Sequence, residues 1–160
     1  MTAGSWCLDE IATVLSGYAF AGNWLLVVCG WLVVNSQTNR RERRKEIRAA
    51  IDTIEDLVLE VEVAARKYYQ LAGTDSDAKA LALEIKSLTR RLAARMAALT
   101  NFKSEFHSEQ QLISFRAAVT GGDFESASRQ PLDLTHQRYL EISNEAVALV
   151  SFLDGKYAKL

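Results

Sequence analysis

Positive charge is missing from the start of this chain: no lysine or arginine precedes Arg40, although the whole carries 19 of them against 20 acidic residues. The formal net charge of −1 therefore says little about partners, and the uneven distribution says more. Proline occurs once, at Pro131, and glycine eight times. With abundant Ala, Leu, Glu, Lys and Arg, this disfavours a turn-rich sandwich or barrel and points to an all-α protein. Cysteine is confined to Cys7 and Cys29, and histidine to His107 and His136. These four make neither a disulfide framework nor a tetrahedral zinc site, so no metal and no cofactor is called for. Cys29 reads most simply as a small apolar side chain. Also absent are a glycine-rich phosphate loop, a Gly-x-Ser-x-Gly elbow and a His-Glu-x-x-His helix. Catalysis is not the expectation, since the usual chemistries lack their parts.

What is present is a long apolar block. Ile11 to Val34 is 24 consecutive residues without a charge, eleven of them Leu, Ile, Val or Phe. At ~1.5 Å per residue such a helix reaches about 36 Å, enough to cross a hydrocarbon core of ~30 Å once. Asp9 and Glu10 precede it and Trp31 to Val34 end it, unlike the basic start and small-residue end of a cleaved leader. Immediately beyond lie Arg40, Arg41, Arg43, Arg44, Lys45 and Arg48, against Glu42 and Glu46. Cations favour the inner side, so the expectation is a single pass through the inner (plasma) membrane with the C-terminal domain cytoplasmic. Arg40, Arg41, Arg43, Arg44 and Lys45 are read as lipid-headgroup contacts, attracted to anionic lipid at ~1 kcal/mol each.

Within the block, Thr13, Gly17 and Ala21 recur every four residues and set small side chains on one face, where a second span can pack closely. Asn23 is the polar exception. Its amide either joins helices across an oligomer, lines a narrow path, or is tolerated through tilt and snorkelling.

Beyond the block, Ile47, Ile51, Ile54, Val58, Val61, Ala65 and Tyr68 follow a heptad seam, so a long amphipathic helix is expected, ending at Gly73. Thr74 to Asp77 supply N-cap candidates for a second helix. Its seam is Leu81, Ile85, Leu88, Leu92, Met96, Leu99, Phe102 and Phe106. Ser108 with Gln111 forms a capping box for a third helix that stops at Gly121-Gly122. A fourth runs from about Asp133 to Gly155. The layout expected is residues 1–10 outside, a transmembrane helix over 11–34, a basic juxtamembrane segment over 35–48, and an antiparallel helical bundle over 49–160.

Positive charge on the second helix is the feature left over. Lys86 to Arg90 and Arg91 to Arg95 are four-residue steps that form two adjacent rows, with Lys103 further along. Guanidinium groups bind phosphate in bidentate fashion and stack on bases, so Lys86, Arg90, Arg91, Arg95 and Lys103 are candidate ligands of a nucleotide or other polyanion. Arg95 falls beside the apolar seam between Leu92 and Leu99. The plainer alternative is a solvated face paired with Glu84 and other carboxylates. His107 and His136 lie near helix starts and read as surface or capping residues.

One N-terminal span joined to a small helical domain carrying Arg90, Arg91 and Arg95 resembles the layout of the small membrane effectors of type III CRISPR antiviral defence. That resemblance implies a homo-oligomer, such as a tetramer, that binds cyclic tetra-adenylate in the cytoplasm and perturbs the lipid bilayer. No duplex nucleic acid is expected as a partner. The competing reading is a membrane-anchored adaptor whose bundle docks a cytoplasmic protein.

Overall fold

A helix that places apolar residues every three and four positions presents one continuous stripe, and four such stripes can only be hidden against each other. The computed structural model describes the backbone from Ser5 onward, and the side chains at Val27, at residues 30–32 and from Val34 to Leu160. Four α-helices follow in order: α1 Ser5–Tyr69, α2 Ser76–Phe102, α3 Glu109–Thr120 and α4 Gln137–Tyr157. A single 3₁₀ turn, Ser104–Phe106, lies between α2 and α3, and no strand occurs among the described residues. The chain divides into two units, Met1–Arg44 and Lys45–Leu160.

The second unit is an up-and-down helical bundle. Every member of the expected α1 seam, Ile47, Ile51, Ile54, Val58, Val61, Ala65 and Tyr68, is buried. They meet Ile85, Leu88, Leu92, Met96 and Leu99 of α2, Phe115 and Val119 of α3, and Ile142, Leu149 and Leu153 of α4 in one core. Arg48 near the start of this unit bonds Asp154 near the end of α4, whereas Tyr69 at the far end of α1 faces Arg138 at the start of α4. Those two helices therefore run antiparallel. The Arg48 guanidinium joins Asp154 at 2.6 Å, Asp52 at 2.7 Å and Glu55 at 3.3 Å. The bond to Asp154 is the largest cause raising the Arg48 pKa. Burial pushes the Glu55 carboxyl up against the pull of Arg48.

Several helix ends differ from the sequence expectation. α1 stops at Tyr69, ahead of Gly73, because the α3–α4 connection claims its last carbonyls. The Leu132 amide donates to the Tyr69 carbonyl at 2.8 Å, and the Arg129 guanidinium donates to the carbonyls of Tyr68 and Leu71 at 3.2 and 3.0 Å. Gly73 serves a close approach instead: a Cβ there would strike the Ser126 carbonyl oxygen. Asp75, within the expected group, is the N-cap of α2, its carboxylate accepting from the Asp77 amide at 2.9 Å.

α2 ends at Phe102, not at Phe106, since Lys103 turns extended at φ −156°; Phe106 stays buried from the 3₁₀ turn that follows. Ser108 is the N-cap position of α3 but its hydroxyl makes no capping bond, so the expected box with Gln111 is not formed. α3 stops at Gly121 as expected. α4 begins at Gln137, later than Asp133, because the Asp133 carboxylate takes the Thr135 amide in a local turn and His136 becomes the cap. It then runs through Gly155 to Tyr157.

In the first unit the described side chains of Val27, Trp31, Leu32 and Val34 are all exposed, and so are those from Asn35 to Arg44. Among the described residues no helix is long and apolar enough to cross a membrane. The side chains of Thr13, Gly17, Ala21 and Asn23, and most of the expected span Ile11 to Val34, lie outside the described residues.

Candidate functional site

The antiparallel run of α2 and α3 leaves a polar hollow between them. α2 contributes Lys86, Thr89 and Arg90; α3 contributes Arg116 and Thr120; and the following connection contributes Phe124 and Glu125. The hollow has a volume of about 440 Å³. Lys86 and Arg90 are one turn apart, as are Arg116 and Thr120, so each helix offers a polar row beside its buried seam. Three cations against one carboxylate leave a formal charge of +2 in the lining.

Glu125 accounts for one of those cations, its Oε1 lying 2.5 Å from Lys86 Nζ. Arg90 and Arg116 have no carboxylate at ion-pair distance among the described residues. The Thr89 hydroxyl is buried and donates to the Ile85 carbonyl at 2.8 Å, and the Thr120 hydroxyl donates to that of Arg116 at 2.8 Å. Two guanidiniums and an ammonium around one concavity suit a phosphate-bearing anion, which Arg recognises through paired N–H donors.

The structure divides the candidate basic strip. Lys86 and Arg90 enter the hollow; Arg91, Arg95 and Lys103 are exposed and do not line it. Arg95 was expected hard against the seam, but its side chain is turned to solvent, because Leu92, Met96 and Leu99 cover the core on their own. The plainer alternative is met in part: Arg90, Arg91, Arg95 and Lys103 are exposed and Lys86 pairs with the Glu125 carboxylate, while Glu84 makes no ion pair among the described residues and borders a groove with Leu59, Glu60 and Lys67. Arg116, Thr120 and Glu125 were missed. A signal for Arg116 did exist, since it adjoins Phe115 and lies one turn before Thr120, but only the antiparallel pairing of α3 with α2 makes that a site.

No family model, curated protein or solved structure matches this chain.

Behind the hollow lies a cluster of aromatics and arginines. Phe124 packs on Tyr68 with ring centroids 4.8 Å apart, and Tyr68 meets Tyr69 edge-on at 5.0 Å. Arg129, 3% exposed, stacks over the Tyr68 ring at 3.7 Å, and Arg138 stands over Tyr69 at 4.6 Å while donating to the Gly121 carbonyl. The Tyr69 hydroxyl donates to the Val119 carbonyl at 2.8 Å, and burial pushes its pKa up to about 12. These groups fix the α3–α4 connection to the end of α1.

His107 is exposed, 3.5 Å from the Glu109 carboxylate, and His136 caps α4 by accepting the Arg138 amide at 3.2 Å on Nδ1. Both are surface or capping residues, as expected. No metal-ligating cluster occurs among the described residues. Arg40, Arg41, Arg43, Arg44 and Lys45 are exposed along α1.

Proposed function

We propose that this protein is a membrane-anchored binding protein, not an enzyme, whose cytoplasmic bundle takes a phosphate-bearing anion between α2 and α3 and passes its occupancy to the membrane segment. The observation that carries the reading is the hollow in which Lys86 and Arg90 meet Arg116, with two guanidiniums left without carboxylates among the described residues. Cyclic tetra-adenylate is the ligand class named by the resemblance to type III CRISPR effectors, and antiviral defence is the setting that goes with it. A homo-oligomer would let Thr13, Gly17, Ala21 and Asn23 pack the spans together. The exposed Val27, Trp31, Leu32 and Val34, followed by exposed cations, support a lipid-facing segment with Arg40, Arg41, Arg43, Arg44 and Lys45 at the headgroups.

The test uses the full chain in detergent micelles, with cyclic tetra-adenylate titrated by calorimetry and the particle mass measured alongside. Binding that is lost in Arg90→Ala and in Arg116→Ala, but kept in Lys103→Ala, supports the reading. Absence of binding, or binding indifferent to Arg90 and Arg116, overturns it.

The adaptor reading has its own observation. A groove between α1 and α4 is lined by Glu55, Val58, Leu59, Glu62, Ala146, Val147 and Val150, with Leu59 and Val147 exposed. It suits an amphipathic helix of a partner protein. Loss of a co-purifying protein on Leu59→Asp with Val147→Asp would favour it.

A further inference from the structure

The carboxylate that reaches into the basic hollow is held there by unusual means. Glu125 stands in the left-handed region at φ 63°, which few residues other than glycine adopt without support. Its backbone amide is anchored by donating to the Tyr68 hydroxyl at 2.7 Å, and its neighbour Phe124 packs on the Tyr68 ring. That backbone delivers the side chain across to α2, where it meets Lys86 at 2.5 Å. Glu125 is thus the sole anionic group lining a hollow otherwise made of Lys86, Arg90 and Arg116 with two threonines and Phe124. In charge and reach it stands where a ligand phosphate would bind.

We infer that Glu125 is a built-in occupant of the anion site, a carboxylate plug that an incoming phosphate must displace from Lys86. The inference rests on the reading of the hollow as an anion site and adds its regulation. Displacement frees Lys86 for the ligand and removes the side-chain tether of the 121–129 turn. The same turn holds the end of α1 through Glu125 to Tyr68, through Arg129 to Tyr68 and Leu71, and through Gly73 donating to the Arg129 carbonyl at 2.9 Å. Those bonds do not involve the Glu125 carboxylate, so the turn stays on α1 while the plug raises the ligand concentration needed to fill the hollow.

The experiment titrates inorganic tripolyphosphate into the full chain in neutral detergent micelles by calorimetry. It compares the wild type with Glu125→Gln, Glu125→Ala, Arg116→Ala and Asp56→Asn, an exposed carboxylate that does not line the hollow. Removing the plug is expected to tighten binding at least about fivefold, the factor one unit charge at contact contributes even in bulk water. Asp56→Asn is expected to change little, and Arg116→Ala to weaken binding. Equal affinity in the wild type and both Glu125 variants, with Arg116→Ala still weakening it, overturns the plug while leaving the anion site standing. An equal gain in Asp56→Asn also overturns it, as a general charge effect. No binding by any variant overturns the site and the plug together. The phosphate could belong to a soluble compound or to a lipid headgroup. Repeating the titration with phosphatidylglycerol in the micelles separates them: a Glu125-dependent gain with lipid alone assigns the headgroup, and one with tripolyphosphate assigns the soluble anion.

Discussion

A buried arginine without a carboxylate needs another reason to be there, and Arg129 has two. Its guanidinium supplies the missing donors for two carbonyls at the end of α1 and sits over the Tyr68 ring. Charged hydrogen bonds of this kind contribute roughly 1.5–3 kcal/mol. Arg129→Ala is therefore expected to cost about 2–4 kcal/mol in chemical denaturation followed by helical circular dichroism. Arg129→Lys should not restore it, because an ammonium cannot bridge both carbonyls and keep the stack. Tyr69 adds a pH dependence. Burial raises its phenol to about 12, against the opposing pull of Arg138, whereas the unfolded phenol ionises near ~10. Its contribution is complete below about pH 10 and is lost as pH rises through about 12, a fall of roughly 2–3 kcal/mol. Burial also raises Tyr139, which adds in the same direction. Tyr69→Phe should flatten the alkaline fall while costing about 1 kcal/mol at neutral pH, through the lost bond to the Val119 carbonyl. An unchanged alkaline limb in that variant would show that burial of this phenol is not its cause.

At the scale of elements, the two faces of α1 should behave as different materials. Ile54 is fully buried and Leu59 is 59% exposed, although both are large and apolar. Ile54→Ala is expected to cost about 2–5 kcal/mol and Leu59→Ala within about 0.5, read as shifts in denaturant midpoint at constant slope. Gly73→Ala is expected to cost about 1–3 kcal/mol, since its Cβ meets the Ser126 carbonyl oxygen and backbone must move. The Ile47 to Tyr68 seam was readable from spacing because a long helix repeats one instruction many times. The same holds for Ile85 to Leu99 and for the stop at Gly121. Helix ends were less readable, because each is decided by a competitor outside the helix: the distant Arg129 and Leu132 end α1, and the local Asp133 turn delays α4. The hollow was half readable. Lys86 and Arg90 declare themselves by their spacing on one helix, but Arg116 and Glu125 join them only through the pairing of α2 with α3 and a left-handed residue.

For the molecule as a whole, the charge map argues orientation more strongly than affinity. An apolar segment of this length contributes insertion energy through its Leu, Val, Ile and Phe side chains, so four arginines more or fewer would hardly alter whether it enters a bilayer. In the proposed anchor, which side the bundle faces is another matter, because cations next to a span resist translocation and residues 1–10 carry no positive side chain. Replacing Arg40, Arg41, Arg43 and Arg44 together with Gln should therefore leave the chain resistant to alkaline carbonate extraction while mixing its orientation. In inverted inner-membrane vesicles a protease added outside should digest the bundle of the wild type almost completely. It should digest only part of the substituted population. Extraction of the wild type by carbonate would remove the anchor from the proposal, and a uniform orientation in the substituted chain would mean that Lys45 and Arg48, or the bundle itself, hold the C-terminal side in place.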